Sequence, residues 1–416
     1  MGVSPTTAPG TDPASPAPGG GSVGTGQSPT AQRIAALEAA VAADSENGDA
    51  LLELGVALLQ RVRETADPSI YPRAQEAFDR AHAVAPDDPL PLVGLGTLAL
   101  ARHEFADALE LGRKALALGT GLPTAQGVVV DALVELGRYD KAVAAAQKMV
   151  DLRPDLASYA RVSYIRELYG DLPGALDAMR RAVQAGGAAS ENNAYVIVLY
   201  GNLAVLSGHP DEAAQAYAAA LQAYPDFPAA LAGQGRLAAA AGDLSTAIAR
   251  FGRAADIVPL PEYVIALGEA REASGDAKGA TDSYALARVE TALFKANGVV
   301  VDLELALFEA DHGDPAAALE LAKAAYAERP TIKAADALAW AFLKNGRTSE
   351  ARKRSAEALR LGTRDPILLY HAGAIAAAAG DTKTAMRDLK AALRLDPGFS
   401  PTGTQAARAL LATLGG

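Results

Sequence analysis

One alanine recurs along this chain at a nearly constant spacing, and that spacing restricts the possible folds more than any other feature. The recurring residues are Ala74, Ala108, Ala142, Ala175, Ala213, Ala247, Ala280, Ala318, Ala351 and Ala385, separated by 33, 34 or 38 residues. A period in this range indicates a solenoid, in which each repeat contacts chiefly its neighbours. We therefore expect an extended concave surface as the working surface, rather than one closed pocket.

Glycine and proline mark the ends of two helices in each repeat. A glycine that can take the left-handed conformation ending a helix stands five residues before eight of the ten alanines: Gly137, Gly170, Gly208, Gly242, Gly275, Gly313, Gly346 and Gly380. A proline, which cannot extend a helix before it, stands twelve residues after six of them. Apolar residues recur at intervals of three and four without sustained alternation, so the pattern predicts paired antiparallel helices and no strands.

This unit resembles the tetratricopeptide repeat, as in the segments GHPDEAAQAYAAALQAYPDFP and GDTKTAMRDLKAALRLDPGFS. The resemblance covers residues 48–400 and implies an all-α, right-handed superhelical solenoid of about ten helix–turn–helix repeats. Phe78, Tyr217, Phe251 and Tyr284 occupy the aromatic position of that family. The segments NGVVVDLELALFEADHGDP and LGTRDPILLYHAGAI are similar to those of bacterial tetratricopeptide proteins that lack a catalytic domain.

Four segments follow from composition and spacing. Residues 1–30 are rich in Pro, Gly, Ser, Thr and Ala, with Asp12 as the only charged side chain, and are predicted to be a disordered tether. Residues 31–47 form an N-terminal capping helix, 48–400 the solenoid and 401–416 a C-terminal capping helix. A tether of this kind suits an exported or lipid-anchored protein with its signal removed as well as a cytoplasmic one, so the compartment stays open.

Charge and cysteine content exclude several classes of function. The net charge of −11 disfavours nucleic acid, whose phosphates need a basic surface, and favours a neutral or basic protein partner. The absence of cysteine excludes disulfides, thiol catalysis and thiolate metal sites. No apolar stretch is long enough to span a bilayer. The oligomeric state stays open.

The first helix of each repeat is expected to line the concave face, and the side chains predicted to project into it are candidate partner contacts. They are Tyr164, Glu167, Tyr195, Asn202, Arg236, Glu269, Asp336, Trp340, Lys344, Tyr370 and His371. Trp340 is the only tryptophan, and tryptophan and tyrosine are over-represented at binding hot spots. The alternative interpretation is that Trp340 fills a gap between repeats.

The predicted function is that of a scaffold or adaptor that binds a protein or peptide on its concave surface. The chain has no nucleophile elbow, P-loop or dinucleotide fingerprint, so neither enzymatic activity nor a cofactor is predicted. The alternative is a small-ligand or metal site, which could be enzymatic, in the C-terminal groove near Tyr370, His371 and the acidic stretch 302–314.

Two features of the acidic stretch lead to separate expectations. Glu309 and His312 share a helix face at i, i+3, as in carboxylate-bridged metal sites, but no second Glu-x-x-His half is present, and no metal is predicted. Glu309 and Arg271 occupy apolar positions of adjacent repeats, four residues before the turn glycine. They are predicted to form a partly buried ion pair.

Overall fold

The computed structural model describes residues 28–187 and 191–415, so the predicted tether lies almost wholly outside the described residues. Within these ranges the chain forms 22 α-helices, one short 3₁₀ helix (Pro68–Ile70) and no strand. The all-α prediction is therefore confirmed.

Helix α1 (Pro29–Ala43) precedes ten helical hairpins. The first five hairpins are α2 (Gly48–Thr65) with α3 (Tyr71–Val84), α4 (Pro89–Ala101) with α5 (Phe105–Leu118), α6 (Pro123–Glu135) with α7 (Tyr139–Leu152), α8 (Leu156–Leu168) with α9 (Leu172–Ala185), and α10 (Glu191–Leu206) with α11 (Pro210–Ala223). The next five are α12 (Pro228–Ala240) with α13 (Leu244–Ile257), α14 (Pro261–Ser274) with α15 (Ala277–Ala296), α16 (Asp302–His312) with α17 (Pro315–Glu328), α18 (Ile332–Lys344) with α19 (Thr348–Ala358), and α20 (Pro366–Ala378) with α21 (Thr382–Leu395). Helix α22 (Pro401–Thr413) follows, so the described chain contains the ten predicted repeats.

The turn between the two helices of a repeat is built as the glycine pattern predicts. Seven of the eight glycines have a positive φ, and His103 takes the same conformation in the second repeat, with φ 63°. Gly313 is the exception, because its φ is −144°. There the Glu309 carboxylate accepts a hydrogen bond from the backbone N–H of Asp314 at 2.9 Å, which closes the turn by a side chain instead.

Small residues in the first helices make room for the aromatic position of the second. The ring of Tyr217 is fully buried between Gly201 of α10 and Gly233 of α12. A Cβ added at either glycine would lie 2.6 Å from a ring carbon of Tyr217. The glycines therefore set how closely neighbouring repeats approach, and the packing is that of a close-fitted core.

Contacts also join repeats that are far apart in the sequence. His103, in the turn of the second repeat, places Nδ1 2.8 Å from the carbonyl oxygen of Val300, just before α16. The backbone N–H of Val300 in turn donates to the carbonyl of Arg102 at 3.0 Å. These hydrogen bonds link the second repeat to the eighth.

The third and ninth repeats meet in the same way. The backbone N–H of Ile332, in the first turn of α18, donates to the Tyr139 hydroxyl at 3.0 Å. The buried Arg329 and Glu135 side chains lie 3.4 Å apart beside this contact. Further along, Ser400 at the start of α22 donates to the Glu269 carboxylate of α14 at 2.7 Å.

Each repeat still packs chiefly on its neighbours, as predicted, but the repeat pattern did not predict these additional contacts across the coil. The stack curves so far that the turns within early repeats contact the loops that precede the first helices of later repeats. At these contacts, polar groups at a helix end form hydrogen bonds with residues across the coil instead of with water.

Helices α1 and α22 lie at the two ends of the described chain. Helix α1 packs on α2, whereas α22 packs on α20, α21 and also on α14, four repeats earlier. None of the described helices combines the length and apolar character needed to cross a bilayer.

Candidate partner-binding site

The first helices of the repeats form the inner wall of the coil. Over most of the stack each first helix packs against the first helix of the next repeat. All eleven predicted contact residues lie on these helices, namely α8, α10, α12, α14, α18 and α20. The structure divides them into three groups rather than one continuous surface.

The largest group lies in repeats seven to ten, and we name it the C-terminal groove site. It consists of Glu269, Glu272, Asp311, His312, Trp340, Lys344, Tyr370 and His371. Five of these residues, on the three helices α14, α18 and α20, were predicted contacts, and the curvature of the stack brings these helices together. The predicted contact Asp336 belongs to the same group, because it pairs with His371.

His312 is at the centre of one half of this site. Its Nε2 lies 3.3 Å from Glu269 Oε1, and its Nδ1 lies 3.9 Å from Glu272 Oε2. The Tyr284 ring stacks on the imidazole with 4.2 Å between ring centroids, and the Tyr284 hydroxyl donates to Glu272 at 2.7 Å. Burial, followed by its hydrogen bond to Glu272, raises the pKa of Tyr284 well above its ordinary value, so this hydroxyl remains a donor.

Asp311 is at the centre of the other half. Its carboxylate accepts a hydrogen bond from the Trp340 indole N–H at 2.8 Å and lies 3.2 Å from Lys344 Nζ. The Lys344 ammonium also lies 4.7 Å from the Trp340 ring centroid, within the range of a cation–π interaction. Tyr370 packs at the edge of the indole, and burial raises its pKa to about 12.

His371 and Asp336 form a buried pair behind the tryptophan. His371 Nδ1 lies 2.7 Å from Asp336 Oδ2, and the imidazole stacks on Trp340 at 4.0 Å. Burial by itself lowers the pKa of His371, but the negative charge of Asp336 and its hydrogen bond raise it more, so the pKa lies above its ordinary value. The stacked imidazole, held in place by Asp336, supports the indole from one face.

The exposure predicted for Trp340, Asp336 and His371 is wrong. Each is 3% exposed, because the indole is stacked between helices and its N–H is satisfied by Asp311. The alternative interpretation, that Trp340 fills a gap between repeats, is the correct one. The most exposed charged side chains of this site are instead Glu272, Asp311 and Lys344, with exposed fractions of 52%, 34% and 32%.

The second group joins α8 to α18. Tyr164 is half-buried, and Lys333 Nζ lies 5.5 Å from the centroid of its ring. Burial raises the pKa of the half-buried Glu167 to about 7, although the charge of Lys333 acts in the opposite direction. Burial by itself lowers the pKa of Lys333. Tyr164 and the Glu135 carboxylate raise it more, so the pKa lies above its ordinary value. This group stabilises the coil between the fourth and ninth repeats.

The third group lies in repeats five and six. Asn202 Oδ1 accepts hydrogen bonds from the Tyr217 hydroxyl at 2.7 Å and from Arg236 Nη2 at 2.6 Å. Tyr195, also half-buried, interacts electrostatically with Tyr263 of α14. Asn202 and Arg236 are therefore engaged within the coil wall.

The expectations for the acidic stretch resolve into separate contacts. Glu309 is 3.2 Å from Arg288 of α15, while Arg271 Nη1 donates to Ser283 Oγ at 2.8 Å, so the predicted Arg271–Glu309 pair is wrong. The Glu309 carboxylate faces α15 and His312 faces Glu269. Across residues 28–187 and 191–415, no three His, Asp or Glu side chains converge as a metal site would require.

Sequence reasoning did not assign four contributors to these groups as contacts. Asp311 and His312 entered the sequence analysis only as members of the acidic stretch 302–314, and Lys333 gave no signal because its role depends on α8. Ser400 reaches Glu269 from 131 residues away. Its only signal was its place before Pro401, where a helix N-cap is expected.

The sequence matches the tetratricopeptide repeat family over residues 34–67, 71–123, 130–190, 201–260 and 337–398, which is more than half of the chain. The chain belongs to the tetratricopeptide repeat family. Part of the C-terminal groove site of this tetratricopeptide repeat protein lies between the last two matched segments. No curated protein matches the chain significantly.

Solved structures are similar to this tetratricopeptide repeat protein at low sequence identity. A human IFIT1 dimer with m7Gppp-AAAA is 16% identical, with 79% of this chain and 76% of that chain covered and a TM-score of 0.50. A thermophilic tetratricopeptide protein of Thermus thermophilus is 23% identical, with 46% and 97% covered and a TM-score of 0.40. YrrB, a tetratricopeptide protein with an unusual peptide-binding site, is 19% identical, with 48% and 97% covered and a TM-score of 0.29.

Proposed function

We propose that this protein is an interaction scaffold that binds a protein or peptide partner on its concave face, with a basic segment of the partner in the C-terminal groove site. Tetratricopeptide repeats support protein-interaction scaffolds in general, and they are generally not catalytic. The finer proposal, a concave site with a preference for positive charge, depends on the side chains described above.

The observation that carries this proposal is a pair of accessible, pre-oriented carboxylates. Glu272 is held by the Tyr284 hydroxyl and Asp311 by the Trp340 indole N–H, and both retain exposed oxygen atoms. With Glu269 beside them, three carboxylates face Lys344 and His312, so the site is acidic. A lysine or arginine of the partner can pair with these oxygens without reorganising them, which favours binding.

The same charges distinguish this groove from a nucleic-acid site. An RNA ligand needs lysine and arginine along its phosphates, whereas the accessible part of the C-terminal groove site offers Glu272 and Asp311 against Lys344. Together with the net charge of −11, this supports a protein partner rather than RNA, despite the fold shared with IFIT1.

The experiment is a binding assay with labelled lysine-rich, neutral and glutamate-rich peptides of equal length. We expect the lysine-rich peptide to bind best and Glu272→Lys to weaken it at least about tenfold, because one attraction becomes a repulsion. The control is Glu76→Lys, an equal change of charge at an exposed position of α3. Equal effects of both substitutions would contradict the proposal.

A small-molecule site is the competing outcome. Thermal-shift measurements with metabolites and divalent cations on the wild-type protein test it directly. Saturable stabilisation by one such compound, abolished by Glu272→Lys, with no peptide bound at any charge, would overturn the scaffold proposal in favour of that alternative.

A further inference from the structure

A stripe of positive charge runs along the outer face of α21. Lys383, Arg387, Lys390 and Arg394 are spaced i, i+4, i+7 and i+11, which places them on one side of the helix. All four are exposed. At 1.5 Å per residue they extend over about 16 Å.

Four second helices of other repeats pair a cation with a carboxylate of the same helix. Ion pairs at i, i+4 join Arg80 to Glu76, Lys114 to Glu110, Arg181 to Asp177 and Lys278 to Asp282. Helix α21 instead places like charges at i, i+4. That spacing destabilises a helix. Its stripe is therefore not explained by the stability of the helix.

The one carboxylate within α21 does not neutralise the stripe. Asp388 is 4% exposed and pairs with Arg387 alone, at 2.7 Å. Among the described residues, no ion pair involves Lys383, Lys390 or Arg394 within 4.0 Å. Three cations of the stripe therefore remain available to a partner.

The neighbouring second helix extends the positive surface. Arg352 and Lys353 of α19 are exposed and line a shallow depression of about 480 Å³ with Thr348, Ser349 and Ala379. Hydrogen bonds from Thr384 lower the pKa of Asp381 at the start of α21 most, and the nearby charges of Arg352 and Arg387 lower it further, so cations of both helices lie near this helix end. We name the surface formed by these six cations the basic outer face.

We propose that the basic outer face is a docking site for an acidic protein segment. It lies on second helices, away from the concave groove, and its charge is opposite to the net charge of −11 of the whole chain. Whole-chain charge therefore predicts the wrong partner for this face, because contacts within about one Debye length are decided by local charge. Aspartate or glutamate side chains spaced along a partner segment complement the stripe.

A protein segment fits this face better than a membrane does. Surface-bound helices combine cations with apolar side chains that enter the lipid. Val289 and Leu293 of α15 are the last large apolar side chains that are exposed. In the described chain after residue 293, which includes α19 and α21, there is none. The depression beside α19 instead offers hydroxyl groups and cations in a concave surface, which suits a carboxylate-bearing chain.

The test uses the full chain and a fluorescein-labelled peptide of alternating glutamate and serine, with binding followed by anisotropy at low and moderate salt. The triple variant Lys383→Glu, Lys390→Glu, Arg394→Glu should bind the peptide at least about tenfold more weakly. The triple variant with glutamine at the same positions should lie between it and wild type. Raising the salt concentration should weaken peptide binding by the wild-type protein more than peptide binding by either triple variant.

The matched control changes net charge equally at another part of the convex face. Arg113, Lys141 and Lys148 are exposed cations of α5 and α7, and replacing all three with glutamate should leave peptide binding within about twofold of wild type. Circular dichroism establishes that each variant is folded. Glu272→Lys should bind the acidic peptide as wild type does, so this test is independent of the groove proposal.

Three results would overturn the proposal. One is wild-type affinity in the triple variant that reverses the stripe. Another is an equal loss in the matched control, which would assign the effect to net charge. The third is stripe-dependent binding of phosphatidylserine vesicles or a single-stranded oligonucleotide in the absence of peptide binding, which would assign the face to lipid or nucleic acid.

Discussion

Replacing Tyr139 with phenylalanine removes one hydroxyl from the contact between the third and ninth repeats. This hydroxyl accepts the N–H of Ile332 at 3.0 Å, and the two residues are 7% and 1% exposed. The N–H lies in the first turn of α18, where the helix itself has no acceptor to offer. With phenylalanine at position 139, the Ile332 N–H stays buried without an acceptor. We expect the free energy of unfolding to fall by about 1–3 kcal/mol.

Urea unfolding and amide hydrogen exchange measure this cost. Because long repeat arrays unfold in more than one step, exchange at the Ile332 amide gives the local free energy directly. The control is Tyr169→Phe: that ring is 36% exposed, and its hydroxyl donates to Asp140 at 3.3 Å on the surface. We expect the control to change stability by less than about 0.5 kcal/mol.

Burial raises the pKa of Tyr139 to about 12, so the hydroxyl stays neutral and the result should not depend on pH between 6 and 8 in either variant. Unchanged exchange at Ile332, together with equal stability of the two variants, would refute the reasoning. It would mean that the early and late repeats separate in solution and that the hydroxyl is hydrated.

Two further predictions concern buried charge. Arg161 donates hydrogen bonds of 2.9 and 2.6 Å to Asp131, and each residue is 5% exposed. In urea unfolding, Arg161→Leu should lower the free energy of unfolding by about 3–5 kcal/mol. Adding Asp131→Leu should recover most of that loss. No recovery would show that packing, rather than the stranded carboxylate, sets the cost. Burial raises the pKa of Glu167 from 4.5 to about 7, so the folded state binds the proton more tightly and stability falls as the pH rises between these values. Glu167→Gln should therefore match wild type near pH 4 and be more stable by about 1–2 kcal/mol above pH 7, after allowance for partial solvent screening; an equal difference at both pH values, measured by urea unfolding, would contradict this.

The fold could be predicted because its signals are local. A glycine such as Gly170, with φ 74°, marks a turn whatever lies elsewhere in the chain, and the spacing from Ala74 to Ala385 counts the repeats. Each hairpin needs only its own sequence and that of its neighbours. For this reason the ten repeats and the face of the first helices were both accessible from sequence.

The state of the candidate site depends on side chains that no single repeat contains. Trp340 is buried by its contacts with Asp311 of the preceding repeat and with Tyr370 and His371 of the following one. The small rotation between repeats accumulates along the stack, and this accumulated curvature brings Ser400 to Glu269. Sequence analysis therefore placed the candidate residues on first helices but predicted exposure for Trp340, Asp336 and His371, which are buried.

Competing partners on α15 account for the failed ion pair. The prediction paired Arg271 and Glu309 because they occupy equivalent positions of the seventh and eighth repeats. Helix α15 lies between them in the chain and supplies a partner to each: Arg288 pairs with Glu309 at 3.2 Å, and Ser283 Oγ accepts a hydrogen bond from Arg271. The repeat pattern does not define these side-chain choices.

The central claim is that this solenoid closes on itself, so that late repeats pack on early ones. The chain has no cysteine, so Arg138→Cys with Glu328→Cys places two spin labels without background. Both positions are exposed, and the carbonyl of Pro330 lies 2.9 Å from the Cβ position of Gly137. A double electron–electron resonance measurement should give one narrow distance of roughly 20 Å, about two helix diameters. A broad distribution near 45 Å, the sum of five steps between neighbouring repeats at 8–10 Å each, would contradict the closed coil.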